Sequence, residues 1–212
     1  MKLTRDRVVD AGLEVLAEDG LAGVTMRATA RRLDAQAGSL YYHVADRAHL
    51  VRLMADRVAQ RAYDAGTREL ADLPDPDDWR SAVRVQATTL RTTIREHAGG
   101  AVLLASAPSL ASTGALQLME RLLATLARAG VPVGERAVAA DAVLSHVTGF
   151  VLQEQTAAPV GPPDVDGLAG LAAAFPLTFQ SMGAGPDDED ATFARGVDLL
   201  CAGIAAHLDG RR

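Results

Sequence analysis

The 212-residue sequence has one cysteine, few aromatic residues and no regular strand pattern. A single thiol, Cys201, can form neither a disulfide scaffold nor a thiolate metal cluster. We therefore interpret it as a core residue in a reducing compartment. Aromatic residues make up 4% of the sequence, and no run of alternating β-branched residues is present. These absences favour an all-α protein.

Long apolar runs and a net positive charge are also missing. No uninterrupted apolar run reaches the roughly 18 residues of a membrane span, and residues 1–6 lack the apolar segment of a signal peptide. We expect a cytoplasmic protein with no membrane partner. The net charge of −6 argues against a protein that coats nucleic acid non-specifically. Residues 1–62 nevertheless carry 10 basic and 8 acidic side chains, so a DNA-facing surface is expected there.

The usual signatures of catalysis are absent. The sequence contains no nucleophile–base pair, no His/Cys/Asp cluster with metal-ligand spacing and no phosphate-binding glycine loop. The 5 histidines are scattered. We expect neither an enzyme nor a bound metal or cofactor.

Capping residues predict four helices near the N-terminus. The predicted limits are Thr4 to Gly20, residues 26–33 after a Thr25 cap, residues 36–43 after a turn at Asp34, and Asp46 to beyond Tyr63. Two short helices joined by a tight turn have the size of a helix-turn-helix. The sequence therefore predicts a DNA-binding domain over residues 1–47.

The third predicted helix has distinct inner and outer faces. Leu40 and Val44 face inward on the helical period, toward Leu13, Leu33 and Leu50. The outer face offers polar side chains to a DNA groove, and small residues let the backbone approach the bases: Gln36, Ala37, Gly38, Ser39, Tyr42 and His43. Tyr41 and Tyr42 are alternatively a helix-packing pair, and Arg31 and Arg32 alternatively a solvated face.

The segments VTMRATARRL (residues 24–33) and GSLYYHV (residues 38–44) resemble the DNA-binding head of the tetracycline-repressor (TetR) family. The resemblance implies that Thr25 opens the second helix and that Arg27 reaches DNA from its start. It implies further that Gln36, Ala37, Gly38 and Ser39 face bases, while Tyr41, Tyr42, His43 and Arg47 hold phosphates. Asp34 departs from the family, which usually has glycine in the turn, but aspartate tolerates the left-handed conformation.

The remainder, residues 48–212, is predicted to form a helical effector-binding and dimerisation domain. Ala/Leu-rich segments predict helices near residues 77–97, 112–129, 134–157 and 188–208, with a further one over 165–182 that Pro176 kinks or ends. LSHVTGFVLQEQ (residues 144–155) and FARGVDLLCAGI (residues 193–204) resemble the tetracycline-repressor class. That resemblance implies a homodimer through the helices near 134–157 and 188–208.

The last predicted helix carries an apolar stripe that fits a core face or a dimer face, of which we favour the dimer face. The stripe consists of Phe193, Val197, Leu200, Ile204 and Leu208.

The resemblance also implies a drug pocket between helices. In that class a histidine and a glutamate support a magnesium–tetracycline chelate. Alignment puts the histidine at Leu103 or Leu104 and the glutamate at Gln153, so we predict a metal-free pocket for an apolar or amphipathic molecule. Its candidate lining residues, each of which fits ordinary core packing as well, are Gln86, Leu90, Leu104, Ser106, His146 and Gln153.

The sequence thus predicts a homodimeric, ligand-responsive transcriptional repressor that binds a palindromic operator in double-stranded DNA. Two other interpretations remain open: an activator that uses the same head, and a helical adaptor that binds only proteins.

Overall fold

The computed structural model describes residues 2–107, 112–157, 165–185 and 188–210. Within these ranges every regular element is helical, as predicted. The helices are α1 (Arg5–Gly23), α2 (Met26–Arg32), α3 (Ala37–Leu40), α4 (Arg47–Ala71), α5 (Trp79–Arg95), α6 (Gly100–Ser106), α7 (Thr113–Arg128), α8 (Val133–Thr156), α9 (Val165–Ala174), α10 (Pro176–Ala184) and α11 (Glu189–Asp209).

Side-chain caps set the starts of the N-terminal helices where the sequence predicts them. The Thr25 hydroxyl accepts a hydrogen bond from the Ala28 amide at 3.0 Å, and the Asp46 carboxylate accepts one from the His49 amide at 2.7 Å. The Thr4 hydroxyl plays the same part for α1, accepting from the Arg7 amide. Each cap satisfies an amide that the helix itself cannot bond.

Two boundaries in the head differ from the prediction. At Gly20 (φ 67°, ψ −179°) the backbone leaves the helical region, but helix α1 resumes and ends at Gly23. Helix α3 has four residues, and residues 41–43 form a turn in which the His43 and Val44 amides both donate to the Leu40 carbonyl, each at 2.9 Å. The predicted third helix is therefore a single helical turn followed by a tighter one.

The chain has two hydrophobic clusters, and α4 belongs to both. The head cluster joins α1, α2 and α3 to α4 residues as far as Val58. The second cluster, which we call the body core, begins with Ala59 and includes α5, α7, α8 and α11. The packing of the head thus extends beyond the predicted domain boundary at residue 47.

Helix α4 is fixed on two sides. Arg57 bonds Asp10 of α1 at 2.8 Å and also bonds Asp6. On the other side, a Cβ on Gly114 of α7 would lie 2.6 Å from the Gln60 backbone nitrogen. Only glycine therefore lets the start of α7 lie this close to the α4 backbone.

Pro176 ends one helix and starts another, as predicted. It is the first residue of α10, and Phe175 separates α10 from α9. The two helices contact mainly each other, and Phe175 and Leu177 are exposed. The short helix α6 is absent from the sequence prediction.

The apolar stripe on α11 serves both faces that the sequence left open. Its first two residues lie in the body core, whereas its last two, Ile204 and Leu208, also line an open groove beside α8. Phe193 and Val197 are buried within the chain, and the other three stripe residues pack against the same cluster. Cys201 is buried beside them, as predicted, and burial raises the pKa of its thiol.

Helix α11 has 21 residues, and by length and composition it is the one helix in the described ranges that could cross a membrane. The sequence expectation concerns only uninterrupted apolar runs, and α11 meets the length and composition of a membrane span although charged residues interrupt it. The charged residues Arg195 and Asp198 interrupt its apolar sequence, although the helix itself is continuous. Only 17% of its apolar 18-residue stretch is buried within the chain. Most of its outer face is therefore uncovered, and the large apolar side chain exposed there is Leu199.

Candidate DNA interface and effector cavity

A tight turn places α3 against α2. Asp34 has a left-handed φ of 50°, as the sequence predicts, and the Ala35 amide donates to the Ala30 carbonyl at 3.0 Å. Aspartate adopts this conformation at a smaller cost than most residues because its short side chain bonds locally. The turn gives the helix-turn-helix its fixed angle.

The segment over residues 36–43 stands on one buried anchor and presents its other face to solvent. Leu40 is completely buried in the head cluster, and Val44 lies beside it, as predicted. Tyr42 is 90% exposed and Tyr41 55% exposed. A Cβ on Gly38 would meet nothing within 4 Å, so the backbone there is open to close approach.

The predicted base-facing residues lie on one surface with Arg27. Arg27, Gln36 and Ala37 line a shared open depression between α2 and α3. Ser39 lies on the same turn and donates its hydroxyl to the Gln36 carbonyl at 2.7 Å. The structure therefore brings Arg27 beside the segment that the sequence singles out.

Arg47 and Arg32 have partners within the chain. Arg47 donates to the carbonyls of Val24 at 2.6 Å and Leu21 at 2.7 Å, and so ties the start of α4 to the end of α1. Arg32 forms ion pairs with Glu14 and Glu18, which agrees with a solvated face. His43 is partly buried, and its carbonyl accepts from Arg5 Nε at 3.3 Å.

Two of the six predicted pocket residues line one cavity in the body. Leu90 and Leu104 lie in the wall of a space of about 230 Å³ bounded by α4, α5, α7 and α8, with α6 at its edge. The wall is mainly apolar, and Leu116, Met119 and Thr148 contribute to it. We call this space the effector cavity, after the effector pocket that the sequence predicts at Leu90 and Leu104.

Gln86 lies beside the effector cavity. It lines a small neighbouring void that shares Leu90, Leu118 and Leu144 with the cavity wall. Its amide nitrogen donates to the Ala82 carbonyl at 3.1 Å and the Thr125 hydroxyl at 3.0 Å. Gln86 is thus a buried, hydrogen-bonded polar residue at the inner end of an apolar space.

The structure does not bring the other three predicted pocket residues to this cavity. Ser106 is exposed and bonds the Val102 carbonyl at 2.7 Å. His146 stacks on Phe193 with ring centres 5.3 Å apart, and Gln153 is exposed on α8. Their assignment to the pocket remains a prediction that this geometry does not favour.

The positions aligned with the metal-binding histidine carry no metal ligand. Leu103 is completely buried in the head cluster, while Leu104 belongs to the cavity wall. Across the described parts of the chain, no three His, Cys, Asp or Glu side chains are grouped as they would be around a metal ion.

Sequence reasoning missed the polar network behind Gln86. Arg121 of α7 donates from Nε to Gln86 Oε1 at 3.2 Å and from Nη1 to the Tyr63 carbonyl at 2.7 Å. Arg121 lies between Leu118 and Leu122, which both belong to the body core. A charged residue between two core positions was the available signal.

An ion-pair network links α11 to the body through a buried pair, Arg91–Glu154, and an exposed carboxylate, Asp190. Arg91 of α5 bonds Glu154 of α8 and Asp190 of α11, and the side chains of Arg91 and Glu154 are only 6% and 9% exposed. The Arg91 guanidinium also lies over the rings of Phe150 and Phe193, 5.2 and 4.7 Å from their centres.

Comparison with known proteins gives matches over most of the chain. Residues 8–54 match the bacterial regulatory proteins of the tetR family, and residues 73–208 match the tetracyclin repressor-like C-terminal domain. An HTH-type transcriptional regulator of Saccharopolyspora erythraea is 32% identical, over 96% of this chain and 85% of that one.

Solved structures agree with these matches. ActR of Streptomyces coelicolor in complex with (S)-DNPA is 26% identical, with a TM-score of 0.77, covering 98% of this chain and 99% of that one. BioQ of Mycobacterium smegmatis is 27% identical, with a TM-score of 0.70 and 97% and 99% coverage. A BioQ structure with its double-stranded DNA operator matches with a TM-score of 0.67.

The two family matches together span the head and the body, and the relatives align with this chain over both parts. The chain therefore belongs to the TetR family of bacterial transcriptional regulators, and it is a DNA-binding regulator and not an enzyme.

Proposed function

We propose that the chain is a cytoplasmic, homodimeric repressor that binds a palindromic operator through residues 36–43 and Arg27 and is released by a small apolar or amphipathic effector. The observation that carries the proposal is the segment over residues 36–43. It combines one completely buried anchor, Leu40, with a 90% exposed Tyr42 and an open backbone at Gly38.

This surface suits a DNA major groove. Tyr42 and Arg27 offer donors to phosphate oxygens, which fix the register of a protein on the duplex. Gln36 and Ser39 can hydrogen-bond base edges, and a backbone without side-chain bulk can approach them closely. Arg47, whose side chain bonds two carbonyls of its own head, contributes by fixing the angle of α4 as well as by its charge.

Helices α8 and α11 are the proposed dimer interface. Val138 of α8 and Leu199 of α11 are 71% and 67% exposed, and an apolar groove of about 340 Å³ runs between the two helices beside Ala142 and Gly203. Small residues permit close helix approach, so two copies can pack as a four-helix bundle. Such packing would cover the outer face of α11. Large apolar patches that stay exposed to water favour association.

The effector cavity is the proposed regulatory site. Its apolar wall accepts an apolar body, and the absence of a metal ligand at Leu103, Leu104 and Gln153 argues for recognition without magnesium. ActR, which has been solved with (S)-DNPA, supports a small-molecule effector in a chain of this fold.

Helix α4 is the proposed link between cavity and head. Ala55 and Ala59 of α4 line the cavity, while the same helix begins at Arg47 beside the DNA-facing surface. A ligand that favours one placement of α4 would change the separation of the two heads, which must match one turn of DNA, about 34–36 Å.

Selection of bound sequences from random double-stranded DNA tests the proposal. We expect an enriched palindrome whose half-sites are one helical turn apart, because two identical heads related by dimer symmetry read the same sequence in opposite directions. An adaptor that binds only proteins would enrich no sequence. An activator would enrich the palindrome but raise transcription from a promoter that carries it, whereas a repressor lowers it.

A further inference from the structure

Arg121 carries a charge into the body of the protein and forms no direct ion pair there. Its guanidinium lies over the Tyr63 ring, 4.6 Å from the ring centre, and its hydrogen bonds go to an amide, a carbonyl and a hydroxyl. Within the described ranges no carboxylate forms an ion pair with it. Asp64 of α4 attracts the guanidinium without bonding it, and its carboxylate accepts a hydrogen bond from Gln60.

A partly buried cation without an ion pair is costly because it gives up water and gains only a distant counter-charge, here that of Asp64. Accordingly, burial lowers the pKa of Arg121 below the ordinary value of a guanidinium. An anion that reached this position would remove the cost, so the site favours a negatively charged guest.

One edge of the guanidinium is only half used. Nε and Nη2 form the edge that a carboxylate can bind with both oxygens. Here Nε donates to Gln86 Oε1 at 3.2 Å, while Nη2 is packed over Gly66 of α4 and has no hydrogen-bond partner. The neutral amide of Gln86 therefore occupies one of two donors that a carboxylate would take together.

Gln86 separates this edge from the space where the effector is expected. The void beside Gln86 shares Leu90, Leu118 and Leu144 with the effector cavity. A rotation of the Gln86 side chain away from Arg121 would join the apolar cavity to the guanidinium. The amide nitrogen of Gln86 could then donate to the same guest.

We propose that the effector is an apolar molecule with a single carboxylate, whose body fills the effector cavity and whose carboxylate displaces the Gln86 carbonyl to bind Nε and Nη2 of Arg121. This inference rests on the proposed function, since it names the chemical class of the effector.

The same guanidinium would carry the signal to the head. Nη1 of Arg121 holds the Tyr63 carbonyl and the Thr67 hydroxyl of α4, at 2.7 and 2.9 Å. A carboxylate that pulls the guanidinium toward the cavity would lengthen these two hydrogen bonds or move α4 with them. Arg121 is thus both the recognition residue and the contact between the ligand and the far end of α4.

The test uses matched probes on the purified full-length protein. Octanoate, 3-phenylpropanoate and 1-naphthylacetate are each compared with the primary amide of the same skeleton, by calorimetry and by the shift in Tm. We expect at least one acid to bind about tenfold or more tightly than its amide, since a hydrogen bond to a charged partner is stronger than one to a neutral partner. The variant R121M should bind that acid and its amide equally.

Two further variants complete the experiment. R128M removes an exposed arginine from the same helix and should keep the preference for the acid. Q86L removes the competing amide and should keep or strengthen it, so the proposal can be tested even if R121M does not fold. Equal affinity of acid and amide for the wild type, no binding of any acid, or an undiminished preference in folded R121M would overturn the proposal. Operator binding by the same wild-type sample shows separately whether the proposed function holds.

Discussion

Tyr42 shows how a residue can be fixed in position and still be free of the fold. Two residues before it, Leu40 is completely buried, while Tyr42 itself is 90% exposed. Its ring therefore contributes little to the head cluster, and the alternative interpretation of Tyr41 and Tyr42 as a packing pair does not hold for Tyr42.

Replacing Tyr42 with alanine should weaken operator binding and leave stability unchanged. A lost hydrogen bond to phosphate is worth about 1 kcal/mol, and the dimer loses two. We expect a drop in affinity of roughly 5- to 30-fold in a titration at fixed salt, with the same Tm as the wild type. Y42F is the matched control. It removes the hydroxyl and keeps the ring, so it separates the loss of the hydrogen bond from the loss of ring contacts. Full affinity in both variants would remove Tyr42 from the interface.

Asp78 is a second residue whose role is local. Its carboxylate accepts hydrogen bonds from the Ser81 hydroxyl at 2.5 Å and from the amides of Ser81 and Arg80. These bonds, led by the one from the Ser81 hydroxyl, lower the pKa of Asp78 below its ordinary value. The ionised form is thus the one that caps α5.

The stabilisation from Asp78 should depend on pH with a definite sign. Because the folded-state pKa lies below the unfolded one, the contribution is complete above the unfolded pKa of about 3.9 and is lost as pH falls through the folded pKa. We expect D78A to lower the free energy of unfolding by about 1 kcal/mol at pH 7 and the difference to shrink below about pH 4. Urea unfolding at several pH values measures both. A difference that grows in acid would contradict the assignment.

At the scale of the helices, what the sequence predicts well is local. Thr25 and Asp46 cap helices by accepting hydrogen bonds from amides a few residues away. Pro176 ends a helix because proline has no backbone N–H. Neighbouring residues therefore suffice to place these boundaries. The stripe on α11 divides between the core and an open groove beside α8, because periodicity shows that a face is apolar but not which partner covers each residue. The four-residue α3 and the Gln86–Arg121 contact depend on distant parts of the chain, which no local pattern encodes.

The close approach of α7 to α4 should make Gly114 intolerant of a methyl group. A Cβ there would lie 2.6 Å from the Gln60 nitrogen and 2.9 Å from the Asp56 carbonyl oxygen, and neither backbone atom can move without shifting α4. We expect G114A to cost about 1–3 kcal/mol in urea unfolding. G134A is the control, since a Cβ on Gly134 meets nothing within 4 Å, and it should be neutral or stabilising. Equal stability of the two variants would mean that the helices separate easily.

At the scale of the whole molecule, the uncovered apolar surface lies on α8 and α11 and not on the head. Leu199 is 67% exposed on a helix whose other face is already packed against the body core. The exposure is consistent with a second copy of the chain as the missing cover. The resemblance implies these two helices as the interface. Of the predicted stripe, Phe193 and Val197 lie in the core, while Ile204 and Leu208 line the groove between the two helices.

Replacing Leu199 with glutamate should separate the dimer. A carboxylate buried in an apolar interface has no counter-charge and costs several kcal/mol. We expect L199E to be folded, to elute as a monomer and to lose operator affinity with it, because one head alone contacts half of a palindrome. T88E places the same charge on the exposed side of α5 and should remain a dimer. A dimeric L199E by light scattering would move the interface elsewhere.

Effector and operator should also oppose each other equally. If ligand binding lowers DNA affinity by a given factor, DNA must lower ligand affinity by the same factor. Calorimetry of an acid that binds the wild type, with and without operator, measures that factor directly. An acid whose affinity is the same in both states occupies the cavity without acting as an effector.

Helix α4 passes from one hydrophobic cluster to the other between Val58 and Ala59, with no break in its backbone. A chimeric regulator, made by exchanging heads between proteins of this kind, should therefore be fused after Val58. The first residue of α4 is the poorer fusion point. A graft cut at residue 47 would leave Leu50, Met54 and Val58 of the recipient facing a foreign α1. A graft cut after Val58 carries these α4 partners with it and leaves Leu103 of α6 as a head-cluster contact that the recipient must match.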